Sequence, residues 1–342
     1  MKTRYFLLLI CLLLAACSGP GVQAGFETAA PTPGQPAATS AATQTAAPPA
    51  ATTAPTISAT DTTVPPPTAT PTPAPVYLTG AGDIAICGQE GDDQTAALLA
   101  NIPGMIFTAG DNSNESGTAQ QFEECFGASW GQFKDRIRPA AGNHEYYTPG
   151  ALPYYDYFGE AAGKPGEGWY SYETGGWHIV VLNSNCNDVA CGPNSLQVQW
   201  LRQDLAASQA QCTLAIWHHP RWSSGLAGSD GRMSPAYRAL YEYGAEIVVS
   251  GHAHDYERLA PLDPEGKRDP QHGIRQFVVG TGGVNALPFP GLLPESEAHF
   301  SGAFGVMRFT LRPDSYDWQF IPVEGESYTD SGSAECHGPP GE

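Results

Sequence analysis

Short apolar runs bounded by glycine, asparagine or histidine constrain the fold of this chain more than any other feature. They lie at residues 77–81, 105–109, 178–182, 212–217 and 246–250. Runs of five or six residues, often with β-branched side chains, are typical of buried strands rather than of helices. We therefore expect these segments to be buried strands of a sheet.

Helix-like patterns alternate with the runs. They are predicted at residues 96–102, 119–126, 196–207 and 233–243. In the third of them, Val198, Leu201 and Leu205 form one apolar stripe. After residue 270 further strands are predicted, at 275–279, 306–311 and 316–323. Strands that alternate with helices predict a layered α/β fold.

Polar side chains follow four of the runs directly, and a fifth polar group follows the shorter segment 139–141. The residues are Asp83, Asp111, Asn112, Asn143, His144, Glu145, His218, His219, His252 and His254. Ligands in open α/β sheets gather at the carboxyl ends of strands, so these five loops can meet in one crevice. Carboxylate, amide and imidazole groups together suit zinc, iron or manganese. Each group alone is a weak signal, but the five in order predict a metal site.

The charge of the chain argues against one broad class of function. Lys and Arg total 16 against 35 Asp and Glu, and the formal net charge is -19. Nucleic-acid binding depends on basic side chains that neutralise phosphates. We therefore expect no nucleic acid as a structural partner.

The N-terminus has the pattern of an export signal. Two basic residues precede an apolar run at residues 5–14, which is too short to cross a bilayer. The sequence Leu-Ala-Ala-Cys at residues 14–17 resembles the lipobox of bacterial lipoproteins. We expect residues 1–16 to be removed and a lipidated Cys17 to anchor the protein to a bacterial membrane on its extracytoplasmic side. The alternative is an ordinary cleaved signal in which Cys17 has no role.

A segment of biased composition follows. Of the 48 residues at 28–75, 40 are Thr, Ala or Pro. Such a segment has little to bury, and its proline content favours extended conformations. We expect residues 17–75 to be a disordered tether that reaches on the order of 100 Å, although an insert without function is the alternative. Residues 76–342 are then the folded domain.

Six of the eight cysteines lie in this domain. They are Cys87, Cys125, Cys186, Cys191, Cys212 and Cys336. An even number in an exported chain predicts up to three disulfides. Only Cys186 and Cys191 are close enough in sequence for a pairing to be predicted, as the closure of a small loop. Because no pair has Cys-x-x-Cys spacing, we expect no structural zinc site.

The polar blocks in chain order are Gly-Asp at 82–83, Gly-Asp-Asn at 110–112, Gly-Asn-His-Glu at 142–145, His-His-Pro at 218–220 and Gly-His-Ala-His at 251–254. This order resembles that of the calcineurin-like metallophosphoesterases, and within them the relatives of the purple acid phosphatases. The resemblance covers most of residues 77–323. It implies an α/β fold made of a two-sheet β-sandwich flanked by helices, with a dinuclear metal centre at one edge.

The resemblance also implies which residues bind the metals. Asp83 and His254 would bind the first metal, Asn143, His218 and His252 the second, and Asp111 would bridge the two. His144 would lie just outside the metals, near the substrate.

One position departs from the pattern of the purple acid phosphatases. Their tyrosine ligand to iron(III), three residues after the bridging aspartate, is replaced here by Asn114. A neutral amide cannot supply the negative charge that stabilises a trivalent ion. We therefore expect two divalent metals among Fe, Zn and Mn, or a less tightly held iron, and no purple colour.

The expected activity is hydrolysis of small phosphate monoesters by a hydroxide that bridges the two metals. His144 is the candidate general acid for the leaving alkoxide. His219 is a weaker candidate, for which a role in packing is equally open. Two alternatives remain, a phosphodiesterase with the same metals and a surface lipoprotein that is not an enzyme.

Overall fold

The computed structural model describes residues 74–339 of the chain. The predicted export signal, Cys17 and nearly all of the predicted tether lie outside the described residues.

Thirteen strands are found in the described part of the chain. They are β1 (Val76–Ala81), β2 (Met105–Ala109), β3 (Ile137–Ala140), β4 (Tyr170–Thr174), β5 (Trp177–Val181), β6 (Cys212–Ile216), β7 (Ile247–Ser250), β8 (Tyr256–Leu262), β9 (Ile274–Val279), β10 (Ser296–Phe300), β11 (Gly305–Arg312), β12 (Ser315–Pro322) and β13 (Ser331–Glu335).

Within residues 74–339 these strands form two sheets. The first has the order β13-β12-β11-β1-β2-β3 and the second the order β10-β8-β9-β7-β6-β5-β4. Strands β1 to β3 are parallel to one another, and so are β5, β6, β7 and β9. The parallel strands of each sheet therefore end at the same edge.

The main core lies between the two sheets. Phe309 on β11 of the first sheet contacts Phe277 on β9 of the second, with ring centroids 5.2 Å apart. Phe107 on β2 packs beside Phe309, and all three side chains are fully buried. Each buried phenylalanine contributes roughly 1.5–3 kcal/mol to stability, so contacts of this kind hold the sheets face to face.

Six α-helices accompany the strands in the described residues. They are α1 (Gly91–Leu99), α2 (Ala119–Gln121), α3 (Asn143–Tyr146), α4 (Leu152–Phe158), α5 (Leu196–Ala207) and α6 (Ser234–Glu242). The predicted stripe Val198, Leu201 and Leu205 on α5 packs against Val180 and Ala215 of the second sheet. The predicted α/β fold, a two-sheet β-sandwich flanked by helices, is confirmed.

Two helices differ from their predicted bounds. Helix α1 begins at Gly91 rather than at residue 96, and Asp92 and Asp93 occupy its first turn, where the helix dipole favours negative charge. The helix predicted at 119–126 is divided into α2 and a π-helical turn at Phe122–Phe126. Among the described helices, none combines the length and the apolar character required to span a membrane.

Three disulfides are present in residues 74–339. The predicted pair Cys186–Cys191 is confirmed. The other pairs are Cys87–Cys125 and Cys212–Cys336. Cys212 begins β6 of the second sheet, and Cys336 follows β13 of the first, so the third disulfide joins the two sheets covalently.

Candidate metal centre

Five loops meet where the parallel strands of both sheets end. The first sheet supplies the loops after β1, β2 and β3, and the second supplies those after β6 and β7. The backbone N–H of Asp83 donates to the Gly110 carbonyl at 3.1 Å, and that of Gly251 donates to the His218 carbonyl at 3.0 Å. The first bond joins the loop after β1 to the loop after β2, and the second joins the loop after β6 to the loop after β7, which brings predicted ligands together.

His218 lies at the middle of this cluster. Its Nε2 is 3.1 Å from Asp111 Oδ2, 3.0 Å from Asn143 Oδ1 and 3.2 Å from His252 Nδ1. One imidazole N–H cannot satisfy three acceptors at once. A cation that accepts lone pairs from all four groups can, so this donor set fits a metal ion.

Asp83 forms the other end of the cluster. Its Oδ2 accepts a hydrogen bond of 2.7 Å from the His252 N–H, and its Oδ1 is 3.4 Å from His254 Nε2. Among the described atoms this buried Oδ1 has no hydrogen-bond partner. A buried carboxylate oxygen is costly without a partner, and a cation bound there would supply one.

The ligand atoms form two overlapping groups. One atom from each of Asp83, Asp111 and His218 lies within 4.8 Å of the other two, and the same holds for His218, His219 and His252. These groups can hold metal ions. His219, predicted only as a weaker candidate acid, belongs to the second group, whereas His254 belongs to neither and has its Nε2 3.4 Å from Asp83 Oδ1.

Carbonyl groups orient the histidine rings. The Nδ1 of His218 is 2.8 Å from the Ala109 carbonyl, and the Nδ1 of His254 is 3.2 Å from the Asn285 carbonyl. An Nδ1–H that donates to a carbonyl leaves the Nε2 lone pair free for a metal and fixes the ring.

The electrostatics of the cluster favour an ionised Asp111. Burial opposes its ionisation, but the charges of His218 and His144 and their hydrogen bonds lower its pKa below the usual range. Burial also disfavours the charged form of His218, yet the Asp111 carboxylate raises the pKa of His218 to about 9. Burial and the neighbouring His218 charge lower the pKa of His252 to about 4.

Three of these residues have a strained backbone conformation. Asp83, Asp111 and His252 have φ angles of 58°, 50° and 68°, and Ala151 is the only other non-glycine residue with positive φ in residues 74–339. Each such residue costs on the order of 1–3 kcal/mol. The surrounding fold therefore holds these side chains in conformations that the free chain avoids.

Gly142 allows the loop after β3 to approach Asp111. A Cβ at this position would lie 2.1 Å from Asp111 Oδ1 and 2.3 Å from Asp111 N. Only a residue without a side chain fits there.

His144 lies beside Asp111 at the edge of the cluster. Its N–H donates to Asp111 Oδ1 at 2.9 Å, and its Nε2 is 3.7 Å from Asp111 Oδ2. Its Nδ1 is 3.0 Å from the Glu115 carbonyl. The side chain is 24% exposed, so it can reach both a substrate and solvent.

His219 is held by Ser184. Its N–H donates to Ser184 Oγ at 2.9 Å, and its Nδ1 is 2.8 Å from the same oxygen. The hydroxyl of buried Ser184 can donate its hydrogen to Nδ1 of His219. Nδ1 is then an acceptor, so the ring proton of His219 lies on Nε2. Burial, together with the charges of His218 and His252, lowers the pKa of His219 to about 2. In this tautomer the neutral ring can donate a hydrogen bond from Nε2, but it is a poor general acid.

Glu145 belongs to the third polar block, but the sequence alone assigned it no role, and the structure shows that it supports the site. Its carboxylate accepts hydrogen bonds from the N–H groups of Asp111, Asn112, Ser113 and Gly142, at 2.6–3.2 Å. It is fully buried. The signal in the sequence was its place three residues after Gly142, which is the capping-box position of helix α3.

Asn114, at the position that departs from the purple acid phosphatases, is also buried. Its side chain is 4% exposed, and neither its Oδ1 nor its Nδ2 has a hydrogen-bond partner among the described atoms. The position therefore offers a neutral amide without a phenolate.

The chain belongs to the calcineurin-like phosphoesterase family. The family model, described as calcineurin-like phosphoesterase, matches residues 79–256, just over half of the chain. The matched range contains the five loops of the site.

Among the family, the chain is similar to purple acid phosphatases. It is 26% identical over 312 residues to purple acid phosphatase 15 of Arabidopsis thaliana, covering 75% of this chain and 56% of the relative. It is 31% identical over 155 residues to purple acid phosphatase 1 of Ipomoea batatas, covering 38% of this chain and 32% of the relative. The chain thus spans about half the length, or less, of these curated relatives.

A solved structure shows the same fold. The purple acid phosphatase PPD1 from yellow lupin (Lupinus luteus) seeds superimposes with a TM-score of 0.63 at 19% identity, over 76% of this chain and 53% of that one. The resemblance to the purple acid phosphatases predicted from the five polar blocks is confirmed.

Proposed function

We propose that this protein is a metal-dependent phosphomonoesterase that hydrolyses small phosphate esters. The observation that carries the proposal is His218 Nε2, which faces three acceptor groups within 3.2 Å. That arrangement fits a bound cation, and it lies at the strand ends of a phosphoesterase domain.

Two metal ions, divalent and among Fe, Zn and Mn, fit the donor set. We assign Asp83 and His254 to one, Asn143, His218 and His252 to the other, and Asp111 to both. When bound, such a pair neutralises phosphate charge and makes water reactive towards phosphorus. No serine or cysteine nucleophile is then needed.

The protein's own side chains provide orientation and a proton. The N–H of His144 fixes Asp111 Oδ1, so the bridging carboxylate keeps one direction. A protonated His144, with Nδ1–H donated to the Glu115 carbonyl, presents Nε2–H to the leaving oxygen as the general acid. The neutral His219 presents Nε2–H as a hydrogen-bond donor to the ester.

The test is the hydrolysis of phenyl phosphate and of bis(phenyl) phosphate by the purified protein. We expect faster release from the monoester, loss of activity after chelation and its return with added divalent metal. Asp111→Asn removes a metal ligand, so the rate should fall by at least the roughly hundredfold that outer-shell changes cause. Asp135→Asn alters an exposed acid and should leave the rate unchanged.

The two alternatives give different results. Faster release from the diester would identify a phosphodiesterase. Protein that hydrolyses neither ester, binds no metal and does not respond to Asp111→Asn would be a surface lipoprotein without enzymatic activity.

We also propose that the protein is exported and anchored through a lipidated Cys17, with residues 17–75 as a tether for the domain at 76–342. Three disulfides in the described domain support an oxidising compartment, because such bonds persist outside the reducing cytosol.

A further inference from the structure

A cavity of about 150 Å³ opens beside the candidate metal centre. Asn143 and His219 form its wall on the side of the metal ligands, and Tyr147, Asn185, Asn187 and Arg232 are among its other lining residues. A cavity of this volume accommodates one six-membered ring. Its lining includes His219, the proposed donor to the ester, and Tyr147, whose ring packs beside that of His144, so the part of an ester that leaves with the oxygen can lie here.

The disulfide Cys186–Cys191 fixes one wall of the cavity. The disulfide closes a short loop with a sequence separation of 5. Within it, the N–H groups of Asp188 and Val189 both donate to the Asn185 carbonyl, at 2.9 and 2.8 Å. The polar side chains of this loop are therefore held in place before a substrate binds, which lowers the entropy cost of binding.

Asn185 lines the cavity and carries an acceptor to which no described protein group donates. Its Nδ2 donates to Asn183 Oδ1 at 2.9 Å and to the Ala141 carbonyl at 3.3 Å, so both amide hydrogens are used within the protein. The side chain is 5% exposed and lines the cavity, and its Oδ1 accepts no hydrogen bond from the residues that the structure describes. A ligand hydroxyl would complete its hydrogen bonding.

Arg232 adds donors without adding a free charge. Its Nε lies 3.0 and 2.9 Å from the two carboxylate oxygens of Asp230, and its Nη1 donates to Asn187 Oδ1 at 3.3 Å. The pair with Asp230 neutralises the guanidinium, and Asp188 brings a negative charge to the same cavity. A second phosphate or carboxylate on the substrate would therefore meet a paired cation and an unpaired acid, whereas neutral hydroxyl groups can bond to both.

Tyr147 supplies an exposed aromatic surface to the lining of the cavity. It is 62% exposed, and its ring centroid is 4.7 Å from that of His144. The apolar C–H face of a sugar ring packs on such surfaces, here within reach of the proposed general acid.

We propose that this cavity binds the alcohol part of the substrate, and that the substrates are monophosphates of neutral polyhydroxylated alcohols no larger than one sugar ring. Asn185, Asn187 and Arg232 select them by hydrogen bonds to their hydroxyl groups. This inference rests on the proposed phosphomonoesterase function.

The experiment compares glucose 6-phosphate with phenyl phosphate as substrates of the metal-loaded protein. Arg232→Met and Asn187→Ala should each lower kcat/KM for glucose 6-phosphate about tenfold, the usual effect of one lost hydrogen bond, and should change it less than twofold for phenyl phosphate. Each variant is compared with the unmodified protein on the same substrate, so the intrinsic reactivity of the two esters cancels. Arg202→Met removes a surface arginine paired with Glu242 and serves as the control.

A second measurement separates this inference from the proposed function. Saturation-transfer NMR between the protein and free glucose should show transfer that Arg232→Met weakens and Arg202→Met does not. If no ester is hydrolysed but this transfer is seen, the proposed function is wrong and the cavity still binds polyols. Equal losses on both substrates, no loss on either, or no transfer to glucose would overturn the inference.

Discussion

Glu145 connects the loop that carries Asp111 to the loop that carries Asn143. Its Oε1 accepts from the N–H groups of Asn112 and Ser113, and its Oε2 from those of Asp111 and Gly142. All four hydrogen bonds come from main-chain N–H groups, so its role is to position the loops that carry the ligands.

Glu145→Gln should weaken metal binding without unfolding the protein. Glutamine replaces one acceptor oxygen with an NH₂ group, which would face two N–H donors that it cannot accept from. We expect metal affinity to fall by roughly 10–100-fold, as for other partners of ligand residues. Competition with a chelator measures the affinity, and circular dichroism checks the fold.

Glu160→Gln is the matched control, since Glu160 is an exposed carboxylate. Metal affinity within twofold of the unmodified protein in Glu145→Gln would show that the four hydrogen bonds do not position the ligands.

The sequence predicts the candidate metal ligands better than the residues that position them or line the cavity beside them. Asp, Asn and His directly after apolar runs are visible because the chemistry itself requires those residue types. The functions proposed for Asn185 and Arg232 depend on which segments pack beside His219, and no local pattern specifies that packing. Glu145 lies between these cases, because its capping position is local but its bonds to residues 111–113 are not.

The strands that the sequence predicts are those with continuous apolar runs. Strands β2, β6 and β7 lie within a residue or so of their predicted bounds. In contrast, β4, β10 and β13 contain partly exposed or exposed residues throughout. Edge strands and strands with one face in water need no apolar run, so their sequences do not stand out from those of loops. Strand β8 is mostly buried, but Glu257, Arg258 and Pro261 interrupt its apolar pattern, so the sequence does not predict it.

The segment after β13 is fastened to the second sheet. Besides the Cys212–Cys336 disulfide, Glu246 Oε1 accepts from the N–H of His337 at 2.8 Å, and Glu246 Oε2 is 3.0 Å from His337 Nε2. Glu246 is 2% exposed. Burial raises its pKa from 4.5 to about 8, although the N–H groups of His337 and Gly338 act in the opposite direction.

The contribution of Glu246 to the stability of the folded protein should fall in alkaline solution. Because the folded-state pKa lies above the usual one, the folded protein holds the proton more tightly than the unfolded chain does. The resulting stability is fully present below about pH 4.5 and is lost as the pH rises through about 8. Glutamine has no proton to lose at this position. Between pH 5 and pH 9 the free energy of unfolding should therefore fall less in Glu246→Gln than in the unmodified protein, by on the order of 2–4 kcal/mol.

Urea unfolding at the two pH values measures the effect. Glu335→Gln changes an exposed carboxylate at the end of β13 and should follow the unmodified protein. The same pH dependence in Glu246→Gln and in the unmodified protein would contradict the prediction.

For the molecule as a whole, the proposed anchor determines where the domain works. The lipobox-like sequence predicts lipidation of Cys17, whereas Cys11 lies within the apolar run. When the chain is expressed in a bacterium, Cys17→Ser should move the protein from the membrane fraction to the soluble fraction, because the proposed lipid would supply most of the membrane affinity.

Cys11→Ser should remain in the membrane fraction and is the matched control. Immunoblots of the two fractions decide the question. Membrane retention of Cys17→Ser would contradict lipid anchoring at this position.

The left-handed conformations of Asp83, Asp111 and His252 bear on attempts to build this centre elsewhere. A designer who grafts the matching side chains onto another sandwich, and leaves the host turns in ordinary conformations, would aim the carboxylates and the imidazole in the wrong directions. The transferable unit is the bent main chain together with its side chains, and a successful graft must copy the turns first.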